Sequence, residues 1–264
     1  ESDLLEKIRY YLAHPDERTA IAVAGQRRTL SQHLFSHRLR TLLDGIRVDP
    51  LPVKYSTTPR WDDIRTLVPN PDVVLDCGAN IGQTLETLRD LFPKAKVYCF
   101  EPVSAAFAQL QQRCAALNAH AVKKAVGDRD GQAQINLTTS PECHSLLGFQ
   151  EGNPCAKWTQ VVGQEEVDVC TLDTWCEQNG IDPKRVDLLK LDVQGAELQA
   201  LYGARKLLAA AKLVFIEVTF VPIYKDIPLF HEIDRFLTEC GYRRHGVYPS
   251  DQPQNWGDAL YAKV

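Results

Sequence analysis

Val73-Val74-Leu75-Asp76-Cys77-Gly78-Ala79-Asn80-Ile81-Gly82 is the stretch that decides the fold. An apolar run ends in a carboxylate, glycines follow at once, and the residues from Thr84 to Phe92 continue with helical spacing. A strand that turns through glycines into a helix leaves free backbone N–H groups at the helix start. Gly78 and Gly82 allow close backbone approach to a ligand. Asp76 stands before the glycines, and Asn80 stands where a dinucleotide-binding turn carries glycine. Asp76 would repel a pyrophosphate in that turn and attract a cationic ligand end.

Further acids fall at the ends of later strands. Val97-Tyr98-Cys99-Phe100-Glu101 ends in Glu101, where nucleoside-binding α/β folds grip a ribose diol. A carboxylate accepts from both hydroxyls, a reading favoured over a bare cap on the helix after Pro102. Gly127-Asp128 follows the third strand, on the adenine side of such a site. Taken alone, that pair reads as a turn. Leu188-Leu189-Lys190-Leu191-Asp192 brings Asp192 beside Asp76, to hold a ligand ammonium or to accept a proton. Glu197 suits the first turn of the next helix. Glu217, inside the apolar strand Ile216–Phe220, needs a partner, water or a substrate. His144 is a further candidate base, since its side chain titrates near neutrality. Tyr224 and His231 are candidates to line an acceptor pocket. A row of acids at successive strand ends suits a nucleoside with a positive centre, such as the sulfonium or ammonium of S-adenosyl-L-methionine (SAM).

From Asp72 onward, strands and helices alternate: strands at 73–77, 96–101, 121–126, 186–191 and 212–219, with helices at 83–92, 104–117, 171–179, 196–209 and 229–240 between and after them. Such alternation builds a parallel sheet with right-handed crossovers. The last two strands, 242–248 and 258–263, have no helix between them and should pair antiparallel. Residues 132–137 and 166–170 alternate like half-exposed strands. Between them lies a long polar loop, 138–160, of a length expected to cover or bind something. Upstream, 3–13 and 29–45 have helical spacing, with Leu34, Leu39, Leu42 and Leu43 on one face. Pro50, Pro52 and Pro59 mark a linker, and Trp61–Val68 a short helix. The organisation expected is a helical N-terminal extension and linker over 1–60 and one α/β domain over 61–264.

The chain of 264 residues is 44% hydrophobic with a net charge of −4, so no global basic field recruits nucleic acid or an anionic membrane. No run approaches a membrane span. The eight cysteines form no C-x-x-C pair, no metal site is expected, and all eight read as reduced thiols in a cytoplasmic protein. No basic-then-apolar signal peptide opens the sequence.

The ordered blocks VVLDCGANIGQT (73–84), VYCFEP (97–102), KAVGD (124–128), VDVCTLDTW (167–175), DLLKLDVQGAEL (187–198) and FIEVTFVPIYKDIPLFHEIDRFL (215–237) carry a resemblance. Over about residues 70–264 the chain resembles the FkbM family of SAM-dependent methyltransferases. The resemblance implies a Rossmann-like class I methyltransferase fold, with a seven-stranded, mostly parallel sheet and a C-terminal antiparallel hairpin. It implies SAM as cofactor and methyl transfer to oxygen, often a hydroxyl of a sugar, a glycan or a secondary metabolite. Asp76, Gly78, Asn80 and Gly82 match the first cofactor motif, Glu101 the ribose-binding acid, and Gly127-Asp128 the adenine-side block. Asp192, Gly195 and Glu197 match the block after the fourth strand. Gln194 stands where the family commonly has Glu, and an amide cannot act as a base at neutral pH. Asp192, Glu217 and His144 are the catalytic candidates. The alternatives are a nucleic-acid methyltransferase, an NAD-dependent oxidoreductase and a non-catalytic SAM-binding scaffold. The first would want a basic groove, and the second fits Asp76 and Asn80 poorly. Any homo-oligomer would be expected to form through the N-terminal helices.

Overall fold

The computed structural model describes residues 2–32, 54–55, 60–250 and 255–264. The chain divides into two compact units, Glu1–Leu51 and Pro52–Val264. The first contains α1 (Ser2–Ala13) and α2 (Pro15–Gln32). The helix expected over 3–13 is α1, whereas the sequence reading has no helix over 15–28, where most of α2 lies. The helix start carries its own signals, Pro15 at the first position with Asp16 and Glu17 in the first turn. From residue 33 on, the expected 29–45 helix and its leucine face lie outside the described residues. So do the prolines of the linker.

The second unit contains an eight-stranded sheet. Its strands are β1 (Lys54–Tyr55), β2 (Val73–Cys77), β3 (Lys96–Phe100), β4 (His120–Val122), β8 (Val186–Leu191), β9 (Leu213–Thr219), β10 (Tyr242–Pro249) and β11 (Trp256–Lys263). Their order is β1-β10-β11-β9-β8-β2-β3-β4. Strands β4, β3, β2, β8 and β9 run parallel, and β11 is antiparallel to both β9 and β10. This is the expected Rossmann-like class I methyltransferase sheet of seven strands, with the two-residue β1 added in parallel at the β10 edge.

Alternation along the strands sorts the core into two layers. Leu75, Cys77, Leu189 and Leu191 pack with Trp175, Leu201, Leu207 and Leu237 on one face. Val74, Val97, Cys99 and Leu188 pack with Ile64, Leu85, Leu88 and Leu110 on the other. The first face is covered by α6 (Leu172–Gln178), α7 (Glu197–Tyr202), α8 (Arg205–Leu208) and α9 (Phe230–Glu239). The second is covered by α3 (Arg60–Leu67), α4 (Gln83–Leu91) and α5 (Ser104–Ala116). Every residue of β2 and β8 is buried, as two-sided cover requires.

Two expected elements are divided. The strand 121–126 splits into β4 and β5 (Ala125–Val126). β5 leaves the main sheet to pair with β7 (Val161–Cys170), which in turn pairs antiparallel with β6 (Gly131–Thr138). The helix 196–209 breaks at Gly203. A Cβ there would lie 2.0 Å from the Gly127 carbonyl oxygen, so only glycine lets the break pass under that turn. The 138–160 loop folds back over the strand ends, where Phe149 bridges to Tyr224 and stacks on its ring at 5.2 Å.

The chain runs outward from β2 through β3 to β4, then returns to β8 and continues outward through β9. The point where that order reverses lies between β2 and β8. Open α/β sheets carry their ligand crevice outside the carboxyl ends of the strands at that point.

Candidate active site

A cavity of about 380 Å³ occupies that crevice. Its floor includes Gly78, Ala79 and Asn80 after β2, Glu101 after β3, Asp192 to Gln194 after β8, and Glu217 on β9. Neighbouring strands lie about 4.8 Å apart, so Glu101 and Glu217, three strand spacings apart, are separated by about 14 Å along the sheet edge. The far wall comes from the 138–160 loop, through Cys143, His144, Leu146, Cys155 and Trp158, with Tyr224 and Trp256 beside it.

Two turns in left-handed conformation meet at the floor. Gly78 has φ +79° and Asn80 φ +47°, while Gln194 has φ +53° and Gly195 φ +102°. A Cβ on Gly78 would lie 1.7 Å from the backbone oxygen of Asp192, so the contact between the turns requires glycine. The Asp192 N–H donates to the Cys77 carbonyl at 3.0 Å and fastens them. Gly82 faces Leu110 and Arg113 instead, and serves the entry into α4.

Glu101 is 7% exposed. It accepts from the backbone N–H of Asn80 at 3.1 Å and of Val103 at 2.8 Å. It therefore both starts α5 and holds the glycine turn. Burial pushes its carboxyl up to about 7, against the opposing pull of those two N–H groups. A carboxylate has acceptor capacity for about four hydrogen bonds, so two remain for the cavity. Asn80 Oδ1, beside it, is buried without a hydrogen-bond partner.

Asp76 is placed differently from the sequence expectation. It is fully buried and does not line the cavity. Lys190, also buried, reaches its Oδ1 at 2.9 Å and lies 3.7 Å from Asp192 Oδ2. Burial pulls the Lys190 ammonium down, but Asp76 and Asp192 more than reverse this and leave it above an ordinary lysine. Asp76 is thus balanced by Lys190. Asp192 and Glu217 lie one layer further out, at the cavity. Lys190 was missed as a site residue, and its signal was a charged side chain inside the apolar run of β8.

Asp192 and Glu217 converge on one amide. Gln194 Nε2 donates to Asp192 Oδ1 and to Glu217 Oε2, each at 2.9 Å. The Tyr224 hydroxyl donates to Gln194 Oε1 at 2.9 Å. Burial, then Asp192, Glu197 and Asp258, push the Glu217 carboxyl well above the usual carboxylate range. Asp258 lies opposite Glu217 on β11 and is paired with Arg60 at 2.7 Å. Burial moves it up to about 6. Glu197 serves the turn: it accepts from the N–H of Val193 at 2.9 Å and from that of Gly195 at 3.0 Å.

His144 lines the cavity, but its Nδ1 accepts the Thr138 backbone N–H at 3.0 Å. Burial lowers its pKa, so the ring is neutral with its proton on Nε2. Nε2 can donate a hydrogen bond and has no lone pair with which to take a proton. That disposition makes His144 a donor and argues against the base expected from the sequence. Gly127 and Asp128 line a separate depression with Arg129 and Gln199. Lys124, Ala125 and Val126 take the corresponding place in the main cavity, because the chain has already left the main sheet at β5. His231 is exposed on α9 and away from the cavity.

The residues fit SAM as a guest. Asn80 Oδ1 and Glu101 are acceptors awaiting donors, as a ribose diol supplies. Lys190 lies nearer Asp76, at 2.9 Å, than Asp192, at 3.7 Å, which leaves Asp192 as an acid facing the cavity, as a cationic centre requires.

Comparison with known proteins places this arrangement. The Methyltransferase FkbM domain family matches residues 76–244, and a Glycosyl transferase-like family matches residues 1–44. The 2-O-methyltransferase NoeI of Sinorhizobium fredii (strain NBRC 101917 / NGR234) is 29% identical over 202 residues, covering 73% of this chain and 80% of that protein. Methyltransferase sdnD of Sordaria araneosa is 30% identical over 164 residues, covering 53% and 63%. Among solved structures, magnesium protoporphyrin IX methyltransferase (ChlM) from Synechocystis PCC 6803 with bound SAM aligns with a TM-score of 0.44 at 12% identity, covering 77% of each chain.

Proposed function

This chain belongs to the FkbM methyltransferase family, with SAM as its cofactor, and from that premise we propose that it methylates a hydroxyl oxygen on a sugar or glycan, or on a secondary metabolite. The observation that carries the reading is the cavity at the switch point, with Glu101 at one side and the Asp192–Gln194–Glu217 group at the other. Two matches favour a sugar: the relative NoeI is a 2-O-methyltransferase, and residues 1–44 resemble a glycosyl transferase.

Bound SAM supplies an electrophilic methyl group on a positively charged sulfur. The chain's own residues supply the rest. Glu101 and Asn80 accept from the ribose hydroxyls, with the glycine turn held ready by Glu101. Asp192 faces the cationic end. Glu217, in its ionised form, takes the proton of the attacking hydroxyl, a role that typically contributes about 10²–10⁴-fold. His144 donates from Nε2 to another acceptor oxygen. Trp158, half-exposed at the mouth, and Trp256 offer flat apolar faces on which a sugar ring or polycycle can lie. Alignment of nucleophile and methyl carbon accounts for much of the remaining rate. Among the described residues no helix is long and apolar enough to cross a membrane. The eight free thiols support a reducing, cytoplasmic setting.

The test is incubation of the chain with methyl-labelled SAM and a panel of glycans and hydroxylated metabolites, with linkage read by mass spectrometry. Alkali-stable methyl ethers are expected. Label in esters or on nitrogen would overturn the hydroxyl acceptor. SAM binding with no labelled product across the panel would favour a scaffold role.

A further inference from the structure

We infer that Gln194 is the positioning residue that allows Asp192 and Glu217 to stand side by side as two open carboxylates, with Tyr224 fixing which way the Gln194 amide faces. The inference rests on the proposed use of Glu217 as the base and concerns how that base is kept available.

Two carboxylates in one partly buried space ordinarily settle by sharing a proton, which removes one of them as a base. Here both N–H bonds of one neutral amide are used, one on Asp192 Oδ1 and one on Glu217 Oε2. A donor with two arms reaches both acids without adding charge. Among the described residues, Gln194 is the one hydrogen-bond donor to the Glu217 carboxyl.

The amide has a single workable orientation. The Tyr224 hydroxyl donates to Oε1 at 2.9 Å, and its other acceptor, the Cys143 carbonyl, is further away at 3.4 Å. A flipped amide would turn its oxygen toward two carboxylates and give up the Tyr224 bond. The main chain is held as firmly. Gln194 sits at φ +53°, a conformation non-glycine residues avoid. Ser145 Oγ donates to its carbonyl at 2.6 Å, while Glu197 binds the N–H groups on either side.

The charged and titratable groups around Glu217 come from every packed element. Lys190 on β8 reaches Asp76 at 2.9 Å and Asp192 at 3.7 Å, and Asp192 follows the same strand. Glu197 comes from α7, and Asp258 from β11 with its Arg60 partner. The thiols of Cys143 and Cys155 and the Tyr224 phenol come from the covering loops. Most of these groups are acids, and they oppose ionisation of Glu217. Lys190 favours it through its charge, and the Gln194 amide favours it by direct hydrogen bonding.

The test is carbon-13 titration of the Glu217 carboxyl in the full chain, its resonance assigned by loss in Glu217→Gln. It needs no methyl acceptor. A hydrogen bond to a charged group is worth about one pH unit or more of midpoint, so Gln194→Leu is expected to raise the Glu217 midpoint by at least about one unit. Tyr224→Phe, which frees the amide to turn, should raise it by roughly half as much. A Glu217 midpoint unchanged in folded Gln194→Leu would overturn the inference. If that variant does not fold, an unchanged midpoint in Tyr224→Phe overturns it instead. Shifted midpoints in a chain that transfers no methyl group would count against the proposed function alone.

Discussion

Replacing Lys190 with Met isolates the charge beneath the cavity floor. Asp76 is fully buried, and the Lys190 side chain is 7% exposed and 2.9 Å from it. Met matches the length and apolar stem of lysine but leaves Asp76 as an uncompensated buried carboxylate. Removing one partner of such a pair costs about 3–5 kcal/mol. For a unit of about 200 residues, each kcal/mol moves the melting temperature by about 2–4 °C, so a fall of about 6–20 °C is expected. Asp76→Asn with Lys190→Met removes both charges and should recover most of that loss, because an intact buried pair contributes little net stability. The assay is urea denaturation of wild type, both single variants and the double variant at pH 7.5. Coupling between the two sites should exceed about 2 kcal/mol. A Lys190→Met chain within about 1 kcal/mol of wild type, or no recovery in the double variant, would refute the reasoning that Lys190 exists to neutralise Asp76.

Further outcomes follow from the same geometry. Burial raises the Glu101 pKa from 4.5 to about 7, so its stabilising contribution is present below about pH 4.5 and is lost as pH rises through about 7. Denaturation curves at pH 4 and 8 should show wild type losing about 3 kcal/mol relative to Glu101→Gln over that interval, and parallel pH dependences would contradict it. Gly78→Ala should destabilise by more than about 3 kcal/mol in the same assay, since its methyl would overlap the Asp192 backbone. Once an acceptor is in hand, Glu217→Gln should lose about 10²–10⁴-fold in turnover. His144→Gln should lose under about tenfold with no movement of the acid limb of the pH profile. Trp158→Ala should raise KM for the acceptor without changing affinity for S-adenosyl-L-homocysteine.

The parts of the fold that were legible were those in which one residue pattern has one physical solution. VVLDC and VDLLKL are apolar throughout because β2 and β8 are covered on both faces, and the glycines after Asp76 fix the first turn. The hairpin followed from the missing helix between β10 and β11. Other features depended on distant partners. Lys190 is explained by Asp76, 114 positions away in the chain, so the sequence reading left its charge unused. Asp128 seemed aligned with the other strand-end acids, but the strand had changed sheets three residues earlier, at β5. His144 has the right chemistry for a base in isolation, and a single backbone N–H from Thr138 removes the lone pair it needed. Gln194 read as the loss of an acid. In three dimensions it is the donor on which two acids converge.

On the proposed function, the crevice between β2, β3, β8 and β9 holds a cationic nucleoside through acids on both sides of the switch point. Calorimetric titration of SAM into the full chain and into Glu101→Ala tests it directly. One site per chain is expected, weakened about tenfold or more by the substitution, as loss of hydrogen bonds to a charged acceptor requires. Equal affinity in the two proteins would contradict the account.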